Sequence, residues 1–350
     1  MDESSSDHSA PDADHSAPDA GPLVPSTNQD LADLAQALDE ARKVVVGQER
    51  LVERLLVCLL SRGHCLLEGV PGVAKTLTVE TLARITGGSF VRLQFTPDLL
   101  PADIVGTRIY RSSTESFDIE LGPVFANFVL ADEINRAPAK VQSALLEVMA
   151  EGQVSVGGET HKVPKPFLVM ATQNPIESEG VYPLPEAQRD RFMMKVLVDY
   201  PTREEEVQIV YRMSVSAPEP AQILTADRLM ELQQQADRVH VDPSIVDYAV
   251  NLVQATRDPR RMNLGDLVEL ISYGASPRAS IGLIRAGRAL ALLRGRHYVH
   301  PQDVFDVAPD ILRHRLVLSY EALARDLTPD HILARIVATV PGPVVIDQHA

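Results

Sequence analysis

One octapeptide combines glycines, a lysine and a hydroxyl residue at close spacing: Gly69-Val70-Pro71-Gly72-Val73-Ala74-Lys75-Thr76. It follows the pattern G-x-x-x-x-G-K-[ST], except that Ala74 stands where the pattern has its second glycine. In such a loop, backbone N–H groups converge on phosphate oxygens at the start of a helix, where the helix dipole favours anions. Lys75 would reach the β- and γ-phosphates, and Thr76 would place its hydroxyl on Mg²⁺. The methyl group of Ala74 is tolerable if that residue is already helical. The alternative is a Gly/Pro turn that happens to precede a helix.

Two acids and one amide could supply the rest of a hydrolytic site. Asp132 and Glu133 directly follow the apolar run 128–131, so Asp132 could hold the Mg²⁺ shell and Glu133 could polarise the attacking water. Asn174 follows the next apolar run, where its amide could orient the same water. The alternatives are a solvated strand end for the acids and a turn cap before Pro175 for the amide. The position of the acids downstream of the phosphate loop favours the chemical interpretation.

Hydrolysis of a phosphoanhydride also develops negative charge that a cation must stabilise. An arginine supplied by another molecule accelerates such reactions by about 10³–10⁵. The candidates are Arg189 and Arg191 in one segment and Arg278 in another. Each could instead be an ordinary surface charge.

The elements that must position these residues alternate between helix and strand from about residue 31 to residue 198. The predicted strands and helices are, in chain order, a helix at 31–38, a helix at 52–61, a strand at 64–68, a helix at 75–85, a strand at 91–95, a strand at 128–131, a helix from 138 to 152 and a strand at 167–171. Short apolar strands separated by helices favour a parallel, doubly wound sheet whose active edge lies at the carboxyl ends of its strands. From Pro201 to about Val340 the periodicity is helical, which predicts a separate helical bundle.

Composition excludes several classes of protein. The 350 residues are 45% hydrophobic, carry a net charge of −15, and contain no apolar run near the ~18 residues that span a membrane. Nucleic-acid binding needs clustered cations, which an acidic chain does not offer.

Residues 1–28 hold a tandem heptapeptide at 7–20 and almost nothing apolar, which predicts a disordered acidic tail. The two cysteines, Cys58 and Cys65, lack metal-ligand spacing and are predicted to be buried thiols of a cytoplasmic protein without a secretory signal.

With these residues assembled, the chain resembles the AAA+ ATPases of the MoxR family over about residues 31–340. The segments that carry the resemblance are Val46-Gly47-Gln48, Phe95 to Gly106, Leu130 to Ala137, Ala171 to Pro175 and Gly274 to Ala279. The resemblance implies an α/β P-loop NTPase fold, with a parallel-sheet core and helices on both faces over 29–200. It also implies a smaller all-α lid domain over 201–345.

The resemblance further implies a role for each motif residue. Asp132 and Glu133 would form the Walker B motif, Asn174 would be the first sensor, and Arg191 would be the arginine that reaches the ATP of a neighbouring subunit. Arg189 sits where the family more often has an apolar residue, so the choice between the two arginines stays open. Bound ATP and Mg²⁺ are implied, with the metal held by Thr76 and Asp132. The implied nucleotide-binding residues are Val46, Gly47, Gln48, Gly69, Val70, Pro71, Gly72, Val73, Ala74, Lys75, Thr76, Leu77 and Arg278, the last as a second sensor that reaches the γ-phosphate from the lid.

Partners follow from the same resemblance. A hexameric ring is implied, acting on a protein client, in some cases with a partner that carries a von Willebrand A domain. Hairpins near 104–121 and at 153–163 would face the pore of the ring or the client. Two alternative functions have less support: a nucleic-acid motor, which the acidic balance opposes, and a non-hydrolysing nucleotide-gated module, which Glu133 and Asn174 oppose. The D-x-x-G segment at 103–106 also fits a GTPase switch, but no guanine-reading Asn-Lys-x-Asp segment accompanies it.

Overall fold

A computed structural model describes residues 28–113, 115–175, 180–214 and 218–343. Its centre is a five-stranded parallel sheet made of β1 (Cys65–Gly69), β2 (Phe90–Gln94), β5 (Phe128–Asp132), β8 (Leu168–Gln173) and β9 (Met194–Val198). The strand order across the sheet is β2-β5-β8-β1-β9, so β1 lies between β8 and β9. Three antiparallel pairs accompany the sheet: β3 (Gly106–Arg111) with β4 (Ser116–Leu121), β6 (Gln153–Val156) with β7 (Glu159–Lys162), and β10 (Ile271–Tyr273) with β11 (Val317–Leu318).

Helices surround the sheet and make up most of the second half of the chain. In chain order they are α1 (Asn28–Val44), α2 (Glu49–Leu60), α3 (Lys75–Ile85), α4 (Pro101–Val105), α5 (Ala139–Glu151), α6 (Glu186–Arg189), α7 (Arg203–Met213), α8 (Ala226–Arg238), α9 (Pro243–Arg257), α10 (Pro277–Leu293), α11 (Pro301–Leu312), α12 (Tyr320–Ala324) and α13 (Pro329–Thr339). Short 3₁₀ turns lie at Ile134–Arg136, Pro259–Met262 and Gly265–Leu270. Within the described residues, no helix is both long and apolar enough to cross a membrane.

Helices cover both faces of the central sheet. Successive side chains of a strand point to opposite faces, so an apolar strand contributes to the core on each side. In β5, Phe128 and Leu130 pack into one apolar cluster with α1, α2 and α3, whereas Val129 and Ala131 pack into a second cluster with α4 and α5. The strand β8 divides its side chains between the two clusters in the same way. This arrangement confirms the predicted α/β parallel-sheet fold with helices on both faces and an additional helical lid.

The helical part, however, has no separate core in the described chain. One buried cluster runs from α2 and β1 through α8, α9, α10 and α11 to α13. The face of α10 that packs inward is rich in small residues, including Ala279, Gly282 and Ala286, which lets neighbouring helices approach closely. Helical periodicity predicted the helices of this bundle, but it could not show that they share a core with the sheet domain.

Several local predictions are confirmed. The helix α3 has the predicted limits, and α5 ends at Gly152 in the left-handed conformation with φ +62°. Both predicted hairpins form, as β3–β4 and β6–β7, and Cys58 and Cys65 are free and buried. The antiparallel pair β10–β11 was not predicted, because each strand is only two or three residues long. The predicted acidic tail lies outside the described residues, apart from Asn28, at which α1 begins.

Candidate nucleotide site

The phosphate loop connects the middle of the sheet to the start of α3. Gly69 ends β1, and a Cβ atom at this position would lie 2.3 Å from the carbonyl oxygen of Val198 on β9, so the close approach of the two strands requires glycine. Gly72 has φ +84°, a conformation that glycine adopts readily. Val70 and Leu77 pack against the core, Val73 is buried, and Pro71 is exposed. Because α3 begins at Lys75, its first unpaired N–H groups lie at the loop, as an anion site requires.

Ala74 does not have the helical conformation on which its tolerance was predicted to depend. It precedes α3 in the left-handed region, with φ 60° and ψ 20°. Left-handed backbone costs a residue with a Cβ atom roughly 1–2 kcal/mol, because the Cβ approaches a carbonyl oxygen. The loop therefore keeps the conformation of the glycine pattern and carries strain at Ala74.

Lys75 lies over the loop, and its Nζ donates a hydrogen bond to the carbonyl oxygen of Gly69 at 2.5 Å. Burial lowers the pKa of Lys75, and the negative charges of Asp132, Glu133 and Glu68 oppose that shift. The ammonium group is thus near the acids that were predicted to complete the site. Thr76, the next residue, is half-buried in the first turn of α3.

The two acids are held at the end of β5 by their neighbours. The Thr172 hydroxyl donates to Oδ1 of Asp132 at 2.5 Å, and Arg92 donates to Oδ2 from Nε at 3.0 Å. The same Thr172 hydroxyl accepts the backbone N–H of Glu133 at 2.8 Å. Glu133 has φ 54°, which turns the chain sharply after the strand. One threonine on the adjacent strand therefore holds both the Asp132 carboxylate and the backbone of Glu133.

The Glu133 carboxylate has two partners of its own. Gln94 donates to Oε2 from its amide at 3.1 Å, and the Nε of Arg136 lies 3.2 Å from the same oxygen. Asn174 lies just beyond β8 and is 7% exposed. Because β5, β8 and β1 are parallel neighbours, their carboxyl ends share one edge. The structure brings the phosphate loop, Asp132, Glu133 and Asn174 together there.

The segment Val46-Gly47-Gln48, which the resemblance implies binds the nucleotide, meets the same edge of the sheet. Val46 is buried, and Gln48 donates from its amide to the carbonyl oxygen of Asp199, just after β9, at 3.1 Å. Gly47 has φ +73°, and a Cβ atom there would lie 2.8 Å from Cδ of Glu205 in α7. Since β9 pairs with β1, this segment lies beside the phosphate loop.

The donor set suits Mg²⁺. A hydroxyl from Thr76 and a carboxylate from Asp132 are oxygen ligands, and Mg²⁺ in nucleotide sites commonly takes one or two protein oxygens with phosphates and waters completing the shell. Among the described residues, no group of three or more His, Cys, Asp and Glu side chains could hold a metal ion.

The arginines lie elsewhere. Arg191 and Arg278 line a cavity of about 360 Å³ together with Gly63 and His64, which precede β1, and Met193, which precedes β9. The cavity is therefore at the amino edge of the sheet, and a five-residue strand at about 3.3 Å per residue puts roughly 13 Å between the two edges. Arg278, which the resemblance implies contacts a γ-phosphate from the lid, therefore lies away from the phosphate loop of its own chain.

The packing of α10 explains the position of Arg278. The N-terminus of α10 lies against Asp190, with which Arg278 forms a 3.7 Å ion pair, and the buried face of the helix packs into the core that it shares with α2. Arg191 and Arg278 consequently form one basic surface instead of two separate sites. Of the two candidate arginines in the earlier segment, Arg191 is exposed on this surface. Arg189 is partly buried, and its Nε has no hydrogen-bond partner among the described residues.

Sequence reasoning missed three residues that shape these surfaces. Thr172 orients Asp132 and Glu133, and its only signal was a hydroxyl near the end of an apolar strand. Asp190 and Arg315 hold the basic surface together, with the Nε of Arg315 2.7 Å from Oδ1 of Asp190. The 125 positions between these two residues left no local pattern to detect.

Comparisons with known proteins show the family to which this fold belongs. The sequence model of the ATPase family associated with various cellular activities (AAA) matches residues 64–194, and that of the AAA lid domain matches residues 268–336. The chain is 61% identical to Chaperone MoxR1 of Mycobacterium tuberculosis over 312 residues, which cover 89% of this chain and 83% of that protein. It belongs to the MoxR family of AAA+ ATPases.

Other relatives extend the same similarity. Protein YeaC of Bacillus subtilis is 44% identical over 89% of this chain and 95% of its own length, and protein MoxR of Paracoccus denitrificans is 36% identical over 86% and 93%. A crystal structure of a candidate ATPase from Cytophaga hutchinsonii superposes with a TM-score of 0.86 at 46% identity, covering 90% of this chain and 96% of that one. The MoxR fold therefore extends over both the sheet and the helical lid.

Proposed function

We propose that this MoxR-family protein hydrolyses ATP to ADP and phosphate with Mg²⁺, and that it works as a closed ring of identical subunits. One observation carries the proposal: the phosphate loop, Asp132, Glu133 and Asn174 lie at one edge of the sheet, whereas Arg191 and Arg278 lie at the other. A head-to-tail contact between copies would place these edges against each other. Contacts of that kind close into rings when the rotation between copies permits, and we propose six subunits.

Each candidate residue at the carboxyl ends of the strands would have a distinct task. Lys75 and the loop N–H groups would bind the phosphates, and Glu133 would take a proton from the water that attacks the γ-phosphorus. Gln94 and Arg136 hold the Glu133 carboxylate in place for this role. Asn174 would orient the water. Thr76 and Asp132 would hold Mg²⁺, which when bound neutralises charge on the phosphates.

The amino edge of the sheet in the next subunit carries Arg191 and Arg278, and this basic edge would supply the remaining positive charge. Arg191 and Arg278 are both exposed, and a guanidinium can contact two phosphate oxygens at once. Their placement supports a role for both in trans, towards the ATP of the neighbouring copy. This assignment directs Arg278, the implied second sensor, to the ATP of the neighbouring copy.

A protein client is the substrate that we propose for the remodelling activity. The relative named Chaperone MoxR1 supports this role. The hairpin β3–β4 exposes Tyr110 and Phe117, whose ring centres are 5.1 Å apart, and Arg108 lies 4.4 Å from the centre of the Phe117 ring. Exposed aromatic side chains beside a cation suit contact with a polypeptide. We further propose action in the cytoplasm, with a von Willebrand A domain protein as adaptor and without nucleic acid.

Turnover measured against protein concentration tests the hydrolytic proposal. We expect the rate per subunit to rise steeply with concentration, and Glu133→Gln to bind ATP while releasing almost no phosphate. Arg191→Ala should lose about 10³-fold or more of kcat. Full turnover by a dilute monomer would contradict the ring. Retained ATP affinity without phosphate release by the wild-type protein would indicate a nucleotide-gated module instead.

The client can be sought with the same variant. Glu133→Gln should stay in the ATP state and retain its client, so a pull-down with this variant should enrich proteins that Lys75→Ala does not. Equal recovery by both variants would contradict a nucleotide-dependent client. Recovery of nucleic acid in place of protein would favour the motor.

A further inference from the structure

Asp190 occupies a junction between the basic edge and the helical lid. It lies between α6 and β9, immediately before Arg191. Its carboxylate accepts hydrogen bonds from the Ser276 hydroxyl, at 3.1 and 2.9 Å to the two oxygens, and from the Nε of Arg315 at 2.7 Å. The guanidinium of Arg278 stands 3.7 Å away. The Asp190 carboxylate thus contacts Ser276 and Arg315. These two residues hold the segments that carry the exposed arginines.

Arg315 fixes the backbone on both sides of Arg191. Its guanidinium donates to the carbonyl oxygens of Asp190 at 3.2 Å, Phe192 at 2.7 Å and Met193 at 3.0 Å. The side chain is only 3% exposed. A buried guanidinium is stable only when its N–H groups and its charge are satisfied, so Asp190 and these carbonyls are its necessary partners. The backbone of Arg191 is consequently held in place while its side chain extends into solvent.

Ser276 fixes the second arginine. It is the N-cap of α10, and its hydroxyl oxygen accepts the backbone N–H of Arg278 at 3.2 Å. The same hydroxyl donates to Asp190, so the first turn of α10 is joined to the segment that carries Arg191. The Arg278 side chain is itself 59% exposed and its contact with Asp190 is long. It can leave the carboxylate for a phosphate without breaking the junction.

We propose that Asp190 is a positioning residue that, through Ser276 and Arg315, presents Arg191 and Arg278 as one unit to the γ-phosphate bound by the neighbouring copy. The proposal rests on the proposed function. Charge stabilisation of a transition state depends on groups that are already in place, and a misplacement of about 1 Å can cost 10²-fold in rate. Asp190 touches neither substrate nor metal in this scheme; it acts through the two arginines.

The informative variant is Asp190→Asn, which keeps the shape and one acceptor oxygen for Arg315 but removes the charge. We expect kcat to fall by about 10²-fold. The KM for ATP should change little, because the phosphate loop of the same subunit is intact. A matched control is Asp33→Asn: Asp33 accepts a 2.7 Å hydrogen bond from the Nε of Arg228, joins α1 to α8, and has a side chain 15% exposed against 19% for Asp190. This control should keep wild-type kcat.

A mixing experiment separates positioning from general damage to the fold. In mixed rings, an Asp190→Asn subunit has an intact phosphate loop, and a Lys75→Ala neighbour has an intact basic edge. We expect turnover well above the sum of the two separate proteins. A subunit that was merely misfolded would not be rescued by its neighbour.

Three results would overturn the proposal: wild-type kcat in Asp190→Asn, a loss that Lys75→Ala does not rescue, or an equal loss in Asp33→Asn. The parallel mixture of Arg191→Ala with Lys75→Ala reports on the proposed function itself. If that mixture is active and the Asp190→Asn mixture is not, only the role of Asp190 fails. If neither is active while the wild-type protein hydrolyses ATP, catalysis in trans fails.

Discussion

At the scale of single residues, Ala74 carries strain that its side chain does nothing to offset. Its φ of 60° lies in the left-handed region, which costs about 1–2 kcal/mol with a Cβ atom present. Glycine would remove that cost but would gain entropy in the unfolded chain, worth about 0.4–1 kcal/mol. We therefore expect Ala74→Gly to raise the free energy of unfolding by about 0.5–1 kcal/mol, measured by urea denaturation.

The control for this change is a helical alanine. Ala35 is exposed in α1, where glycine should instead lower the free energy of unfolding by about 1 kcal/mol. Opposite signs for the two Ala→Gly changes would support the strained conformation. A loss of stability in Ala74→Gly would contradict it.

His64 provides a second prediction for a single residue, through pH. Its Nδ1 accepts the N–H of Val169 at 3.0 Å and its Nε2 lies 3.2 Å from the carbonyl oxygen of Met149, which assigns the neutral Nε2–H tautomer. Removal from water lowers the pKa of His64 to about 4. An unfolded histidine has a pKa of about 6.5, so the unfolded chain binds the extra proton first as the pH falls. The contribution of neutral His64 to the free energy of unfolding is therefore complete above pH 6.5 and is lost progressively as the pH falls towards 4.

We expect this histidine to remove about 2 kcal/mol from the free energy of unfolding between pH 7 and pH 5. Glutamine can make both hydrogen bonds without titrating. The difference in unfolding free energy between the two pH values should thus be smaller in His64→Gln by that amount. Identical pH dependence in both proteins would show that His64 does not titrate with unfolding.

At the scale of elements, the phosphate loop depends on the close pairing of β1 with β9. A methyl group at Gly69 would lie 2.3 Å from the Val198 carbonyl oxygen, so the two strands would have to separate. We expect Gly69→Ala to lower the free energy of unfolding by about 1–3 kcal/mol and to abolish tight ATP binding. Gly265→Ala is the control, because nothing lies within 4 Å of its added methyl group. ATP affinity unchanged in Gly69→Ala, measured by calorimetry, would contradict this account.

Local patterns were sufficient to predict most elements of this protein and the placement of three candidate site residues at strand ends. The limits of α3 and the positions of Asp132, Glu133 and Asn174 at strand ends follow from short windows of sequence, because a strand's apolar run and the polar residue after it are adjacent. Parallel neighbours then bring those ends to one edge. No contact between distant segments had to be known.

The rest of the site depends on contacts that no window contains. The position of Arg278 follows from the packing of α10 against α2 and from the Ser276–Asp190 hydrogen bonds, which join residues 86 positions apart. The left-handed conformation of Ala74 was missed for a different reason: glycine in the pattern permits that backbone, whereas the tolerance of alanine was tied to a helical conformation. Tertiary packing decides where the lid lies, and hence which nucleotide its arginine can reach.

At the scale of the whole molecule, sheet and lid are joined by buried charges as well as by a shared apolar core. Asp310 in α11 is 1% exposed and accepts hydrogen bonds from Nε of Arg54 in α2 at 2.8 Å and from Arg313 at 2.5 Å. Burial alone would raise the pKa of Asp310, but the charges of Arg313, Arg50 and Arg54 outweigh it and lower the pKa. The carboxylate is therefore ionised at neutral pH and balances arginines from both parts.

We expect Asp310→Ala to lower the free energy of unfolding of the whole chain by about 3 kcal/mol, because Arg54 and Arg313 would lose the buried carboxylate between them and keep only the more exposed Glu53 and Asp330 as counter-charges. The exposed pair Asp266–Arg335 is the control, and Asp266→Ala should leave the free energy of unfolding almost unchanged. Since one core joins both parts, unfolding should be a single transition, with amides of β1 and α10 exchanging hydrogen at the same free energy. Loss of protection in α10 alone, with β1 unaffected in Asp310→Ala, would show instead that the lid unfolds as an independent unit.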